Sequence, residues 1–405
     1  MKRRIAITGL GVLSPVGSRI DVFWDALCQG KVGTGPIESF DTSIFEVHNG
    51  GEVKDIDPAD FFSVLNPEQY GRTTQLAVAA AKMAAADAGW EDLAYPAERI
   101  GVCFGTTMGN ASVIEDDHNF WLREQRGAPA ELIRHYPESC IPAAVSEELG
   151  IEGPSLMVPT ACAAGNYAIS WGSDLLQEGI LDAVLVGGTD ALSRACYTTF
   201  FRLGAISPDV CKPFDQDRQG TMVSEGAACL VLEDYEKAAA RGATIYAEFL
   251  GYGLSCDAYH PTAPHFEGEG AVLAIERALD SANLPREDVS YVSAHGTGTK
   301  ANDLTESIAL RRVFGENADR IPVSSIKSML GHSMGAASAI EAVASSLAVH
   351  HNRIPPTVNI GTLDSDCVRD VVPDQARELP VRVVLSNSFA FGGNVSVILL
   401  GRSES

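Results

Sequence analysis

The sequence contains no CxxC pair, no cysteine-dense segment and no long uninterrupted apolar run. Its nine cysteines are scattered through 405 residues, which argues against structural zinc and against a disulfide framework. Without a long apolar run there is no membrane-crossing helix to expect. Positive charge is also in short supply: 30 Lys plus Arg against 53 Asp plus Glu give a formal net charge of -23. That balance disfavours a general nucleic-acid or anionic-membrane surface, and an acidic partner would need a local basic patch. Met1-Lys2-Arg3-Arg4 runs directly into a short apolar segment, so the expected setting is soluble, reducing and cytoplasmic. Gly9-Leu10-Gly11 does not complete a dinucleotide-binding fingerprint.

What is present is ample apolar material. Hydrophobic residues make up 45% of the chain, enough for a substantial core, and the length alone favours two or three average domains. Ile5 to Ile7 reads as a strand entering a Gly9-Leu10-Gly11 turn. Arg99 to Gly109 reads as a strand followed by a glycine-containing turn, and apolar runs at 182–190, 227–232, 289–292, 381–385 and 395–400 read as further strands. Gln75 to Ala86, the segment after Cys162, and a stretch from about Ala271 carry helical spacing. Asp215 and Arg218 read as a paired polar network beneath a site.

The segment Val158-Pro159-Thr160-Ala161-Cys162-Ala163-Ala164-Gly165-Asn166 sets one thiol among small residues where a helical pattern begins. Free amides and the dipole at a helix start favour thiolate over thiol. A small buried cysteine filling a crowded turn is the alternative. Three later segments bear on the choice: Ser293 to Thr299 with His295, Lys327 to Ala337 with His332, and Asn387 to Asn394 with Phe391.

Together with Arg4 to Gly11, Lys212 to Asp215 and Asp257 to Pro264, these segments resemble the elongating β-ketoacyl-(acyl carrier protein) synthases of the thiolase-like condensing-enzyme family. The resemblance implies an α/β fold, a five-layer α-β-α-β-α sandwich of two internally duplicated halves. Residues 1–250 would carry the nucleophile and 251–405 the histidines, although no sequence repeat announces the duplication. It implies Cys162 as nucleophile, His295 and His332 as donors to the enolate formed on decarboxylation, and Lys327 in support, paired with Glu306. Phe391 would gate the acyl pocket and lend its backbone amide to an oxyanion hole beside that of Cys162. Met108 would limit chain length, and Thr297 and Thr299 would bind the phosphopantetheine arm of the carrier. On this reading neither histidine is strictly required for acyl loading.

The implied reaction is transfer of an acyl group to Cys162, then decarboxylative condensation with malonyl-carrier protein. Partners would be acyl carrier protein with its acyl and malonyl thioesters, and a second subunit, identical or related. No dissociable cofactor or catalytic metal is needed, and no nucleic acid or membrane partner is implied. A polyketide ketosynthase and a noncatalytic chain-length or scaffold partner are the alternatives; the joint presence of Cys162, His295, His332 and Lys327 argues against the scaffold. Arg123, Arg126, Arg134 and Arg202 are candidate carrier contacts. Ser224, Ser338, Ala390 and the pair Asn394-Val395 depart from the family's usual residues.

Overall fold

The computed structural model describes residues 3–90 and 95–403; Met1 and Lys2 lie outside them. Ten strands form the main sheet: β1 (Ile5–Leu13), β2 (Ile100–Gly105), β3 (Ser155–Val158), β4 (Ala183–Asp190), β5 (Gly226–Asp234), β6 (Ala247–Cys256), β7 (Tyr291–Ser293), β8 (Val323–Ser324), β9 (Val383–Phe389) and β10 (Asn394–Gly401). Their spatial order is β8-β7-β9-β10-β6-β1-β5-β4-β2-β3. In each set of five, the order is first, fifth, fourth, second, third. The orientations match too: β2 lies parallel to β3 and β4 as β7 does to β8 and β9, and the remaining pairs within each set are antiparallel. The two sets meet where Ile5, Ala6 and Ile7 pair with Phe249, Glu248 and Ala247. The duplication that the sequence conceals is plain in this topology.

Alternation along the strands builds the layers. Val184 and Val186 enter one apolar cluster, whereas Ala183 and Leu185 enter another, because successive side chains leave a strand on opposite faces. The first cluster is central and contains the helices Ala164–Gln177 and Ala337–His351. The helix Arg72–Asp87 covers the outer face of one half and Glu269–Ala282 that of the other. The result is the expected α/β sandwich. No helix among the described residues is long and apolar enough to cross a membrane.

The Gly9-Leu10-Gly11 turn is not formed; β1 runs through it. A Cβ at Gly9 would stand 2.3 Å from the Ala84 carbonyl oxygen, and one at Gly11 would stand 2.0 Å from that of Ala80. These glycines therefore let the helix Arg72–Asp87 lie directly on the strand. Gly11→Ala is expected to destabilise the protein by about 1–3 kcal/mol, the usual range for overpacking. Chemical unfolding would measure it, and an unchanged midpoint would show that the helix can shift freely.

Candidate active site

A cavity of about 530 Å³ opens from the surface to Cys162, His295, His332 and Phe391. After β3 the chain makes one tight turn, Ala161–Ala163, before the helix Ala164–Gln177 begins. Ala161 has φ +51°, a left-handed conformation that costs a residue with a Cβ about 1–3 kcal/mol. Such strain persists only where packing holds it, and here it shapes the turn carrying Cys162. The Ser388 hydroxyl donates to the Cys162 carbonyl at 2.9 Å.

His332 Nε2 lies 3.1 Å from Cys162 Sγ. Burial pushes the thiol up to about 12; Asp190 adds to the rise, and Lys327 and the backbone N–H groups of Cys162 and Phe391 offset only part of it. The expected preference for thiolate is therefore not met, because desolvation of the sulfur outweighs the helix start. Those same two N–H groups bear on the sulfur from the backbone, as an oxyanion pair beside it would.

The loop after β7 delivers His295. Glu306 shapes that loop: its carboxylate accepts from the backbone N–H of His295 at 2.9 Å, from that of Gly296 at 2.8 Å, and from Asn387 Nδ2 at 2.9 Å. The expected Lys327–Glu306 pair is absent. Both Glu306 oxygens are already taken by N–H donors, and Lys327 instead forms an ion pair with Glu341 of the helix Ala337–His351. Lys327 Nζ also lies 3.4 Å from His295 Nδ1. Burial, and then the Lys327 charge, hold both histidines well below the ordinary imidazole range, so both are neutral at pH 7. Their ring centroids are 5.4 Å apart.

Thr297 and Thr299 line the cavity, and their hydroxyls are 2.9 Å apart. Thr299 also caps the helix Lys300–Phe314 by accepting from Asn302 N–H, so capping and cavity lining coexist. Met108 is not part of the cavity wall; it joins an apolar cluster with Phe200 and Phe391. The Phe391 ring stacks on Phe200 at 5.6 Å. Arg218 bonds the Asp215 carbonyl oxygen, not its carboxylate, and ion-pairs with Asp364 and Asp303. The Asp215 carboxylate is occupied by the backbone N–H groups of Asp217, Gly361 and Thr362.

None of the four candidate arginines lines the Cys162 cavity. Arg126 and Arg134 are held in local pairs with Glu124 and Glu131, and Arg123 lines a separate polar cavity. Exposed Arg202 adjoins Leu203, which lines the Cys162 cavity along with Lys300. Among the described residues only His265, Glu267 and Glu269 bring three metal-ligand atoms within 4.8 Å of one another; His295 and His332 belong to no such group.

Sequence reasoning missed Asp190 and Glu341. Asp190 accepts from the Thr106 hydroxyl and from the N–H groups of Thr107, Met108 and Gly335, tying the loop after β2 to the turn beyond His332. Burial raises its carboxyl to about 6 against those donors. The available signal for Glu341 was its position as the one carboxylate in the small and apolar run Ala336 to Val349.

Comparison with known proteins agrees with this geometry. Residues 2–238 match the model of the beta-ketoacyl synthase N-terminal domain, and residues 246–361 match that of its C-terminal domain. The 3-oxoacyl-[acyl-carrier-protein] synthase 2 of Synechocystis sp. is 41% identical over 402 residues, covering 97% of this chain and 96% of that protein. The enzyme of the same name from Coxiella burnetii is 38% identical, covering 99% of each. Among solved structures, the ishigamide ketosynthase/chain length factor superposes with TM-score 0.96 at 43% identity over the whole of both chains. A type II PKS ketosynthase, solved with its acyl-carrier protein and bound to the hexaketide, superposes with TM-score 0.92 at 32% identity, again over both whole chains. The chain belongs to the beta-ketoacyl synthase family and is a condensing enzyme that joins acyl and malonyl units by a Claisen-type reaction.

Proposed function

We propose that Cys162 carries the growing acyl chain and that His332 and His295 divide the remaining chemistry between them. The observation that carries this reading is the 3.1 Å contact between Cys162 Sγ and His332 Nε2, made by an imidazole kept neutral. As the sulfur attacks the donor thioester carbonyl, the thiol proton passes to His332 Nε2. The N–H groups of Cys162 and Phe391 hold the developing oxyanion. Collapse expels the carrier thiolate, which takes that proton back, leaving acyl-Cys162 and a neutral His332.

A malonyl thioester then enters. Its carboxylate leaves as carbon dioxide, and the electron pair becomes an enolate whose oxygen accepts from His295. Lys327 donates toward His295 Nδ1, so the His295 proton resides on Nε2, ready to serve that oxygen. The enolate carbon attacks acyl-Cys162, the C–S bond breaks, and the β-ketoacyl thioester departs as the sulfur takes up a proton from solvent by way of His332 Nε2.

The substrates on this reading are carried on the phosphopantetheine arm of an acyl carrier protein, with Thr297 and Thr299 as its contacts in the cavity, and Met108, outside the cavity wall, limits chain length from the apolar cluster that it shares with Phe200 and Phe391. Residues 1–250 and 251–405 act as the two duplicated halves, except that all of β6 (Ala247–Cys256) belongs to the second; the matched segments 2–238 and 246–361 support a division in this region. We place the enzyme in the cytoplasm, as a dimer with itself or with a related subunit. The ishigamide likeness at 43% identity favours a second reading of the pathway, polyketide rather than fatty-acid elongation, with the same steps at the same residues.

Intact-protein mass spectrometry with acyl-carrier donors tests the assignment: the wild type should gain one acyl group and Cys162→Ala none. Equal loading of both would remove Cys162 as nucleophile. Product profiles with and without a related subunit would separate the two pathways. Carrier recognition should depend on Arg202 and Lys300. Reversing either charge is expected to raise the carrier KM several-fold and flatten its salt dependence, while Arg126→Glu leaves it unchanged. Equal effects at all three positions would defeat this placement.

A further inference from the structure

The helix behind Cys162 and the helix behind His332 begin in the same way. Each follows a single tight turn, Ala161–Ala163 in one case and Met334–Ala336 in the other. Each turn opens on a residue with a Cβ at φ +51°, Ala161 and Met334. Counting on from these two residues, Gly165 and Ser338 occupy equivalent places, one in each half. They face each other: a Cβ on Gly165 would stand 2.8 Å from Ser338 Oγ and 2.7 Å from the Ala339 amide nitrogen. The Ser338 hydroxyl oxygen reaches across the gap and accepts from the Asn166 amide at 3.0 Å.

Asn166 is the third residue of its helix, so its amide is one of those that a helix leaves without an internal acceptor. That helix has no side-chain cap of its own. Both Asn166 and Ser338 are fully buried, and water is not available to the amide. The hydroxyl from the opposite half therefore does for the nucleophile helix what an N-cap residue normally does. It also sets a partial negative charge at the positive helix start that faces Cys162, weakening its pull on the sulfur.

We propose that Ser338 is a positioning residue for the nucleophile, capping the Cys162 helix across the interface between the halves and damping the thiolate-stabilising field of that helix start. The glycine at the equivalent place in the other half makes the arrangement one-sided: Gly165 supplies room and Ser338 supplies the acceptor. Besides the backbone N–H groups of Cys162 and Phe391, the titratable and charged groups that bear on the sulfur are His332 in contact, His295 beside His332, Lys327 with its partner Glu341, Asp190, and Cys196 of the helix Arg194–Arg202. None of them is altered by substitution at 338, so a change in thiol reactivity reports on the hydroxyl.

The proposal rests on Cys162 as nucleophile, but its test does not use acyl chemistry. Iodoacetamide alkylation of Cys162, located by peptide mapping, would be followed against pH in the wild type, Ser338→Ala and Ser338→Gly. Removal of the hydroxyl should lower the alkylation midpoint by about half a pH unit, which raises the rate at pH values below the midpoint about threefold. Malonyl decarboxylation by pre-acylated enzyme should stay within about twofold of wild type, since His295 and Lys327 do not touch Ser338. The glycine variant, which removes the side chain altogether, guards against a packing fault peculiar to alanine. Midpoints unchanged or raised in both variants would overturn the proposal. Midpoints lowered in an enzyme that never accepts an acyl group would uphold it while removing the assignment of the reaction.

Discussion

Replacing His332 with Ala should slow acyl loading of Cys162 and condensation alike, each by about two to three orders of magnitude, whereas His295→Ala should load normally and fail at decarboxylation. The asymmetry follows from the geometry. His332 Nε2 is 3.1 Å from the sulfur, and the thiol, pushed up to about 12 by burial, does not ionise unaided at neutral pH. His295 has no contact of this kind with the sulfur; its ring faces His332 and Phe389, and its Nδ1 faces Lys327. This revises the expectation that neither histidine is needed for loading, which assumed that the helix start alone activates the thiol. A time-resolved assay with purified acyl- and malonyl-carrier proteins, following acyl-enzyme, carbon dioxide and β-ketoacyl product, separates the steps. Normal loading in folded His332→Ala would return activation to the helix start, and wild-type condensation in both variants would remove the imidazoles from the mechanism.

The residues that touch the reacting atoms were legible because each sits in a local sequence context of its own. Cys162 lies in a run of small residues at a helix start, His295 in a glycine-containing loop after a strand, and His332 in a second such loop. Partners drawn from distant segments were not legible. Lys327 finds Glu341 only because the helix Ala337–His351 runs through the centre of the molecule, and nothing in the spacing distinguishes Glu341 from Glu306 as its counter-charge. The Gly9 and Gly11 misreading has a similar origin. Glycine marks a turn or a close approach of another backbone with equal force, and the approaching helix begins some sixty residues later. The duplication, too, lives in strand order and in paired turns at Ala161 and Met334, features of backbone geometry that side-chain identity does not record.

Lys327→Met is expected to cost about 3–5 kcal/mol of stability near pH 8, because it leaves a buried carboxylate without its counter-charge. Lys327 and Glu341 are both almost wholly inaccessible, and their ion pair is closed from solvent. Burial raises the Glu341 carboxyl to about 7 even with Lys327 beside it. A folded-state value above the ordinary one means that the native protein binds more protons than the unfolded chain. The stabilising contribution of this group is then complete below the ordinary value and is lost as pH rises through about 7. Without Lys327 the carboxyl rises further and stays protonated over a wider range. The variant should therefore lose less stability near pH 5.5, where Glu341 is neutral, than near pH 8, where folding must either expose it or hold a proton on it. Lys327→Met combined with Glu341→Gln should recover most of that loss at pH 8, since neither buried charge remains. It should not recover decarboxylation, because His295 Nδ1 still lacks its donor and the imidazole is no longer held in one tautomer; a deficit of about a hundredfold is expected. Denaturant unfolding of the two variants at both pH values, alongside carbon dioxide release from pre-acylated enzyme, makes the comparison. A loss independent of pH would show that Glu341 does not carry the stranded charge, and full recovery of decarboxylation in the double variant would confine Lys327 to holding the fold.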